Sequence, residues 1–554
     1  MTWPKPDLTQ SAFPQLTPAQ IERLRSYGVP QDVAVGDTVF QAGDTSSDLI
    51  LVDEGAIDIV RPATVDAPEE TIVQHGAGRF LGEMNMLTDQ TVYLTARVVE
   101  AGRIHRIPRA RFRNVMDEEP EISDLMLRTF LARRELLRNG PAARSVEIVG
   151  SAMSSSTLAL RTYAARQRMP HLWFDSDTAA GKAVMGAVGL ESGDLPAVLV
   201  LDQVLRRATP GELGEQLGLS YQRADDNPVD LTVIGAGPAG LAAAMYGASE
   251  GLATVLLDSV AAGGQAAASS RIENYLGFPS GLSGADLTGR AVVQALKFGA
   301  QVSTPCEAVS LDTTADRLRV CLSDGTDITT RAVVIDPGAT YRSLPLDRWS
   351  DFEGAGIYYA ATEIEARACE GSPVAVVGGA NSAGQAALYL AGRGTHVTVV
   401  VRGPDIRANM SSYLVDRLVA DPRVTVREST EVTGLAGESS LKGITLSHRS
   451  SGQEVEQPCS GLFCFIGAHP ASSWLSTVAV DEDGFILTDV QLSADDLGAC
   501  WATLGRRPLP FETSIPGVFA AGDVRLGSMK RVAAAVGEGA SAVRSVHVAI
   551  GVRA

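Results

Sequence analysis

One stretch decides the fold of the larger part of this 554-residue chain: Leu231-Thr-Val-Ile-Gly235-Ala-Gly237-Pro238-Ala239-Gly240. An apolar strand runs into three spaced glycines and then into a helical pattern up to Ser249. Gly235 permits a tight turn, Gly237 lets the backbone approach a pyrophosphate, and Gly240 allows the helix to pack closely. Pro238 and Ala239 complete the turn at the helix N-terminus, which attracts anions. The stretch predicts a dinucleotide-binding strand-turn-helix.

A second strand, Ala253 to Leu257, ends in Asp258. An acid at this distance from the glycine turn accepts hydrogen bonds from ribose hydroxyls. Strand and helix patterns alternate from there to the C-terminus, which predicts parallel sheets covered by helices.

A related unit lies further along the chain. It consists of the strand Val374 to Val377, the turn Gly378-Gly379-Ala380-Asn381-Ser382-Ala383, a helix to Leu390 and the strand His396 to Val401. Ala380 replaces the middle glycine and slightly narrows the approach to a pyrophosphate. Gly378, Ala380, Asn381 and Ser382 are the predicted contacts. The chain therefore contains two Rossmann-like three-layer domains.

Arg402 and Arg407 follow the last of these strands, and no acid stands where the ribose of NAD would require one. Arginine suits the 2′-phosphate of NADPH because a guanidinium binds phosphate bidentately. The alternative is a solvated surface pair, and NADH stays a second candidate.

Three further segments carry a family resemblance: Gly263-Gly264-Gln265, Ile272-Glu273-Asn274-Tyr275-Leu276-Gly277-Phe278-Pro279, and Gly517-Val518-Phe519-Ala520-Ala521-Gly522-Asp523. With the glycine turns, they make residues 229–554 similar to low-molecular-weight thioredoxin reductase. The resemblance implies FAD and NADPH as cofactors and a homodimer formed through the flavin domain. The residues that it adds to the flavin site are Gly264, Gln265, Asn274, Asp523, Lys530, Arg531 and Val532.

The family's redox pair is missing. The resemblance places its C-x-x-C motif at Ala361 and Ile364, which have no redox chemistry. Six cysteines lie in the second half of the chain, and Cys369 with Cys459 or Cys464 is a weaker alternative pair. No catalytic residue is therefore predicted. His469 is the one histidine considered as a proton donor, against a purely structural role.

Near the N-terminus, short apolar stretches from Val35 to Arg97 are punctuated by glycines, which predicts an antiparallel β unit. Phe80-Leu81-Gly82-Glu83 and the spacing of the preceding Gly and Asp residues resemble a cyclic-nucleotide-binding β-roll. The resemblance implies Gly82 and Glu83 as ligand contacts. Val92 and Tyr93 occupy the positions of the family's phosphate-binding arginine, so Arg79 and Arg97 are the alternative sources of charge. A nucleotide effector and a purely structural roll both remain open.

A second small module follows a helical pattern that ends near Gly140-Pro141. Its strand, helix and proline-led strand resemble a thioredoxin or glutaredoxin fold. The turn Ser151-Ala-Met-Ser-Ser-Ser-Thr157 contains no cysteine and cannot exchange disulfides. Helix capping is the simpler role for its serines.

Composition completes the prediction. The net charge of −18 disfavours nucleic acid, and no apolar run is long enough for a membrane span, so we expect a cytoplasmic protein. No metal site is predicted. A polar linker at 223–228 separates the small modules from the rest. The predicted domains are 1–143 (β-roll with a C-terminal helix), 144–222 (thioredoxin-like), 229–344 and 467–554 (FAD-binding) and 345–466 (NAD(P)H-binding).

The sequence thus predicts an FAD-dependent oxidoreductase that takes electrons from NADPH. The acceptor is open between a thioredoxin-like protein, a quinone, dioxygen and an iron-sulfur protein. The alternative functions are a ligand-gated flavoprotein sensor and a scaffold with little turnover.

Overall fold

The computed structural model describes residues 8–45, 48–64, 67–88, 90–222, 229–269, 272, 274–313 and 317–551. The predicted linker at 223–228 and Glu273 of the flavin-lining segment lie outside the described residues. Contacts divide the chain into two compact units, formed by the described parts of 1–151, 163–222 and 301–305 and of 152–162, 223–300 and 306–554. Among the described helices, none is long and apolar enough to cross a membrane.

The first unit begins with an antiparallel roll. Its elements are α1 (Leu8–Ala12), α2 (Pro18–Tyr27), β1 (Val29–Val33), β2 (Thr38–Phe40), β3 (Leu49–Arg61), β4 (Glu70–Gly76), β5 (Phe80–Leu81), β6 (Thr95–Ile107), α3 (Arg109–Glu118) and α4 (Pro120–Asn139). The main sheet has the order β1-β6-β3-β4, with β2 on β6 and β5 on β3. The predicted bounds of 35–97 were too narrow, because β1 pairs with the far half of β6.

Helix α4 is the helix that the sequence predicts to end near Gly140-Pro141. Ile122, Met126 and Phe130 are buried on one face, and the helix ends at Asn139 before Gly140. Phe130 packs against Phe80 of β5 with ring centroids 6.5 Å apart, so the helix covers one side of the roll.

The second module contains more elements than the sequence analysis identified. They are β7 (Val146–Val149), α5 (Ser155–Arg166), β8 (Leu172–Phe174), α6 (Ala179–Val188), β9 (Ala197–Val200), β10 (Gln203–Leu205) and α7 (Pro210–Gln216). The sheet order is β10-β9-β7-β8, with β7 and β8 parallel and β9 antiparallel to β7. The missed α7 carried a readable signal, because Thr209 and Glu212 form a capping box.

Two parts of the remaining chain are named here after the cofactors that the sequence predicts for them, the flavin-binding part and the nicotinamide-binding part. The flavin-binding part has a central sheet with helices packed on it. Its first elements are β11 (Val229–Ile234), α8 (Pro238–Ser249), β12 (Thr254–Leu257), α9 (Gly284–Lys297), β13 (Gln301–Ser303), β14 (Ala308–Asp312), β15 (Leu318–Leu322), β16 (Asp327–Ile335) and β17 (Ala339–Tyr341). Strands β12, β11 and β16 are parallel neighbours. The C-terminal end of β11, which leads into the glycine turn, therefore lies beside the C-terminal end of β16.

The inserted nicotinamide-binding part has its own parallel sheet. Its elements are α10 (Trp349–Phe352), β18 (Ile357–Tyr358), α11 (Glu363–Ala368), β19 (Val374–Val377), α12 (Asn381–Gly392), β20 (Val397–Val400), α13 (Ser412–Ala420), β21 (Val424–Arg427), β22 (Thr430–Gly437), β23 (Leu441–His448), β24 (Glu454–Pro458) and β25 (Gly461–Cys464). The sheet order is β18-β25-β19-β20-β21. Alternate residues of β19 face two different cores, as the predicted three-layer arrangement requires: Val374 and Val376 one, Ala375 and Val377 the other.

The chain then returns to the flavin-binding part through β26 (Ala468–Pro470), α14 (Ala499–Leu504), β27 (Val518–Ala520) and α15 (Val532–Ile550). Strand β27 pairs with β16. The two connections between the parts meet, because β17 and β26 form an antiparallel ladder in which Thr340 faces His469.

Candidate flavin and nicotinamide sites

The first glycine turn has the conformation that the sequence predicts. Gly235 has φ +104°, and a Cβ added there would lie 1.7 Å from the carbonyl oxygen of Asp336. A Cβ on Gly240 would lie 1.8 Å from the carbonyl oxygen of Gly235, so α8 can pack onto the turn only with glycine at this position. Gly237 precedes Pro238 and Ala239 as the N-cap of α8 and has no side-chain cap. The first N–H groups of the helix therefore have no intrahelical partner.

Asp258 lies where the second strand ends and faces the same turn. Its carboxylate accepts hydrogen bonds from the backbone N–H of Ala236 at 2.8 Å, Val260 at 2.9 Å and Ala261 at 3.0 Å. Each carboxylate oxygen can accept more than one bond, so Asp258 can also accept one from a ribose hydroxyl.

A buried acid that the sequence analysis did not explain lies behind the turn. Asp336 follows β16, is 4% exposed, and accepts a hydrogen bond of 2.7 Å from the N–H of Gly240. Burial raises the pKa of Asp336 well above its usual value against the lowering effect of that bond, and the charges of Asp523, Asp258 and Glu538 add to the rise. This shift favours the uncharged carboxyl, which reduces the charge that would repel a pyrophosphate.

The Gly-Gly-Gln segment packs directly on the first turn. Gly264 has φ +53°, and a Cβ there would lie 2.9 Å from the Cα of Gly237. The side chain of Gln265 donates a hydrogen bond to the carbonyl oxygen of Ala339 at 2.8 Å. Asn274 is exposed in a turn that an isolated bridge between Ile272 and Leu282 closes. The structure thus unites Gly264 and Gln265 with the glycine turn but shows no contact of Asn274 with it.

The late segment meets the turn from the other side. Asp523 is half-buried in the short 3-10 helix Gly522–Val524; burial raises its pKa, Lys530 opposes the rise and Glu538 adds to it. The Lys530 ammonium lies 5.0 Å from the centroid of the Phe485 ring. Arg531 is the N-cap of α15 and Val532 its first residue, so a second helix N-terminus is available. A Cβ on Gly539 of α15 would lie 2.0 Å from the carbonyl oxygen of Ala239, so this helix packs directly on α8.

These observations fit a dinucleotide with an extended pyrophosphate. Backbone without side chains forms the cradle at Gly237 and Gly264, two helix N-termini supply positive partial charge, and Asp258 and Asp523 supply acceptors for hydroxyl groups.

The nicotinamide turn repeats this frame with differences. Gly378 has φ +145°, and a Cβ there would lie 2.5 Å from the carbonyl oxygen of Phe465. Ala380 is the N-cap of α12, and Ser382 belongs to its first turn. The side-chain oxygen of Asn381 accepts a hydrogen bond of 2.7 Å from the N–H of Ser411, which orients the side chain and leaves its amide nitrogen as a donor for a ligand.

The two arginines beyond β20 differ from each other. Arg407 donates from both terminal nitrogens to one carboxylate oxygen of Asp416, each at 3.1 Å. Arg402 is exposed and has no ion pair with any residue that the structure describes. Arg402 is thus the available cation at this edge of the sheet, and Arg407 is already partly neutralised.

Comparison with known proteins agrees with this geometry. The family model for pyridine nucleotide-disulphide oxidoreductases matches residues 229–539. The chain belongs to the pyridine nucleotide-disulphide oxidoreductase family. A model of the cyclic nucleotide-binding domain also matches residues 30–119.

Several thioredoxin reductases are similar to this oxidoreductase. The one from Streptomyces clavuligerus is 32% identical over 320 residues, which cover 56% of this chain and 91% of that protein. A "NADH dehydrogenase" of Bacillus subtilis is 31% identical over 58% of each chain. The solved thioredoxin reductase of T. acidophilum is 28% identical with a TM-score of 0.51, covering 58% of this chain and 99% of that one. The resemblance to thioredoxin reductase is confirmed, and that family uses FAD and NADPH.

The segment at which the resemblance places the dithiol forms an ordinary helix start in this oxidoreductase. Ala361 is 6% exposed and belongs to the core beneath β19. The N–H of Thr362 donates to Glu365 at 2.9 Å at the start of α11. This capping arrangement involves no thiol.

The three cysteines considered as an alternative redox pair, Cys369, Cys459 and Cys464, are poorly suited to disulfide exchange. All six are free, and Cys369, Cys459 and Cys464 are buried. Burial raises the pKa of each of these three thiols to about 12, so they stay protonated and unreactive near pH 7. His469 is exposed on the ladder between β17 and β26, opposite Thr340.

The β-roll contacts have a different outcome. Glu83 is bound by Arg134 of α4, whose terminal nitrogen lies 3.0 Å from the carboxylate. Val92 and Tyr93 are buried apolar positions. Arg97, one of the alternative sources of phosphate charge, pairs with Glu69 at 2.7 Å and is therefore partly neutralised. The sequence could not show that Glu83 is already paired, since its partner lies on a distant helix.

Proposed function

We propose that this chain oxidises NADPH and passes the electrons through FAD to an acceptor that is not a protein disulfide. The observation that carries the proposal is the pair of glycine turns, each at a helix N-terminus, in a chain with Ala361 and Ile364 at the positions of the family's dithiol. Bound FAD would supply the hydride-accepting and electron-transferring ring. The chain's residues bind and orient the cofactors.

In the flavin-binding part, the turn around Gly237 and the N-terminus of α15 at Val532 hold the pyrophosphate. Asp258 accepts from a ribose hydroxyl, and Asp523 from the ribityl chain. Gln265 and Asn274 line the ring, and Lys530 and Arg531 offset the charge of the phosphates. Burial disfavours a charge on Asp336, so this acid adds little to the repulsion of the ligand by Asp258 and Asp523.

In the nicotinamide-binding part, Gly378, Ala380, Asn381 and Ser382 hold the second pyrophosphate. Arg402 binds the 2′-phosphate and favours NADPH over NADH, and Arg407 contributes less because Asp416 holds it. The ladder of β17 and β26 is the hinge between the two parts.

The acceptor is a quinone, dioxygen or an iron-sulfur protein rather than thioredoxin, because Ala361 and the buried thiols cannot exchange disulfides. The strand order of the second module supports a thioredoxin-like fold. Ser154 accepts a hydrogen bond from the N–H of Thr157 at 3.3 Å, which supports capping as the role of this serine. We propose that this module docks a partner, that the protein is a homodimer through its flavin-binding part, and that it acts in the cytoplasm.

A panel of acceptors tests the proposal. We expect the purified flavoprotein to oxidise NADPH with menadione or ferricyanide, and to leave the disulfide of thioredoxin intact in a coupled insulin assay. Reduction of thioredoxin at a rate above that with the other acceptors would overturn the non-disulfide assignment. Absence of turnover with every acceptor would favour the sensor or scaffold, in which the β-roll ligand changes the flavin's reactivity.

A further inference from the structure

The β-roll encloses a cavity of about 350 Å³. Its wall includes Gly82 and Glu83, so it lies where the resemblance implies a nucleotide site. Apolar side chains form most of the rest, among them Phe13, Ile59, Leu81 and Leu136. The cavity has the size and the predominantly apolar lining of a small-molecule site.

The charges in this wall are already satisfied. Arg134 holds the Glu83 carboxylate and also approaches the side-chain oxygen of Gln90 at 3.4 Å. Arg133 donates to the carbonyl oxygens of Ala12 at 2.8 Å, Gly82 at 2.5 Å and Phe80 at 2.9 Å.

Arg133 is the only guanidinium that the described part of this wall contains, and it lies 4.7 Å from the centroid of the Phe80 ring. Binding a phosphate would require Arg133 to give up backbone bonds that fix β5 and α1. Burying an unpaired phosphate instead is strongly unfavourable.

One residue of the cavity wall carries a buried polar atom without a partner. His75 of β4 is 2% exposed, and its Nδ1 has no hydrogen-bond partner among the described residues. Burial, with a contribution from Arg133 and Arg79, lowers the pKa of His75 to about 3, so the imidazole is neutral. A neutral imidazole offers one donor and one acceptor. A buried polar atom without a partner is costly, and a ligand with a hydroxyl or carbonyl group would satisfy it.

We propose that this cavity binds an uncharged, largely apolar small molecule whose single hydroxyl or carbonyl group bonds to His75. We expect such a ligand to bind in preference to a cyclic nucleotide, because Val92 and Tyr93 stand at the positions of the phosphate-binding arginine and Arg134 already binds Glu83. The site is independent of the flavin chemistry proposed above, and its ligand can be measured whether or not the protein turns over.

Isothermal titration of the full-length flavoprotein with 2-naphthol tests the proposal. This probe is apolar, uncharged and has one hydroxyl group. We expect saturable binding of about one molecule per chain, with weaker binding of naphthalene, which cannot bond to His75, and no binding of 2-naphthoate or cyclic AMP. Saturable cyclic AMP binding, or no binding of 2-naphthol, would overturn the proposal.

Two variants locate the site. Leu136→Trp fills the cavity and should abolish 2-naphthol binding, whereas Leu504→Trp, at an exposed position in the flavin-binding part, should leave it unchanged. His75→Phe keeps the ring and should weaken 2-naphthol by about tenfold while affecting naphthalene little. Circular dichroism and the bound flavin report whether each variant is folded. Unchanged binding in a folded Leu136→Trp protein would place the probe elsewhere and contradict the assignment.

Discussion

The flavin-binding and nicotinamide-binding parts present two versions of one strand-turn-helix in a single chain. Both turns have a leading glycine with positive φ, at Gly235 and Gly378, and both helices start without a side-chain cap. They differ at the end of the following strand. Asp258 is held there by three backbone N–H groups, whereas Arg402 is exposed and unpaired within the described chain. The shared backbone provides a site for a pyrophosphate, and the side chain beyond it selects the ribose.

The largest effect is expected where backbone approaches the ligand. In Gly237→Val the new Cβ would lie 3.3 Å from the Asp336 carboxylate, which would have to shift by a few tenths of an ångström, so circular dichroism accompanies the measurement. The side chain would occupy the space of the pyrophosphate. We expect the protein to be purified colourless, as measured by its flavin absorbance. Gly537→Val is the control, because a Cβ there has open space in α15. A yellow Gly237→Val protein would contradict the assigned cradle.

The proposed preference for NADPH over NADH depends on Arg402. Loss of a hydrogen bond to a charged group costs about 1.5–3 kcal/mol, which corresponds to about 10- to 100-fold in affinity. Arg402→Gln should raise the KM for NADPH by that factor and leave the KM for NADH nearly unchanged. Arg407→Gln should have a smaller effect, because Asp416 already binds Arg407. Equal effects of the two variants on both coenzymes would indicate a solvated surface pair.

Asp336 is a further difference between the two turns, because no such acid is described behind the nicotinamide turn. The pKa of Asp336 in the folded protein lies above the unfolded value of about 3.9. The contribution of this raised pKa to the free energy of unfolding is therefore complete below about pH 3.9 and is lost as the pH rises through the folded pKa. Asp336→Asn removes the titrating group, so the variant does not lose stability in this way as the pH rises. The Tm of the variant minus that of the wild type should therefore increase between pH 5 and pH 9, by a few degrees for about 1 kcal/mol. A difference independent of pH would show that Asp336 is charged throughout.

The smallest effect is expected at the thiols. Cys369→Ser and Cys459→Ser should change NADPH oxidation by less than about twofold, because neither thiol forms the reactive thiolate near pH 7. Steady-state rates with menadione and with thioredoxin measure this. Selective loss of activity in either variant would reveal a redox pair that has replaced the dithiol.

The sequence predicted those features that depend on local patterns. The glycine turns, the strands beside them and the end of α4 follow from spacing and from residues with special backbone freedom. It could not predict pairings between distant side chains, such as Glu83 with Arg134 or Arg407 with Asp416, which decide whether a charged residue is available. It also could not assign a role to Asp336, because the surroundings of this acid come from four separate segments.

Anaerobic stopped-flow reduction tests the central claim most directly. The purified yellow protein is mixed with NADPH or with NADH, and the flavin absorbance is followed. We predict rapid bleaching by NADPH and slower bleaching by NADH at equal concentration. Flavin that stays oxidised with both coenzymes would contradict the claim that this chain is an NADPH-dependent reductase.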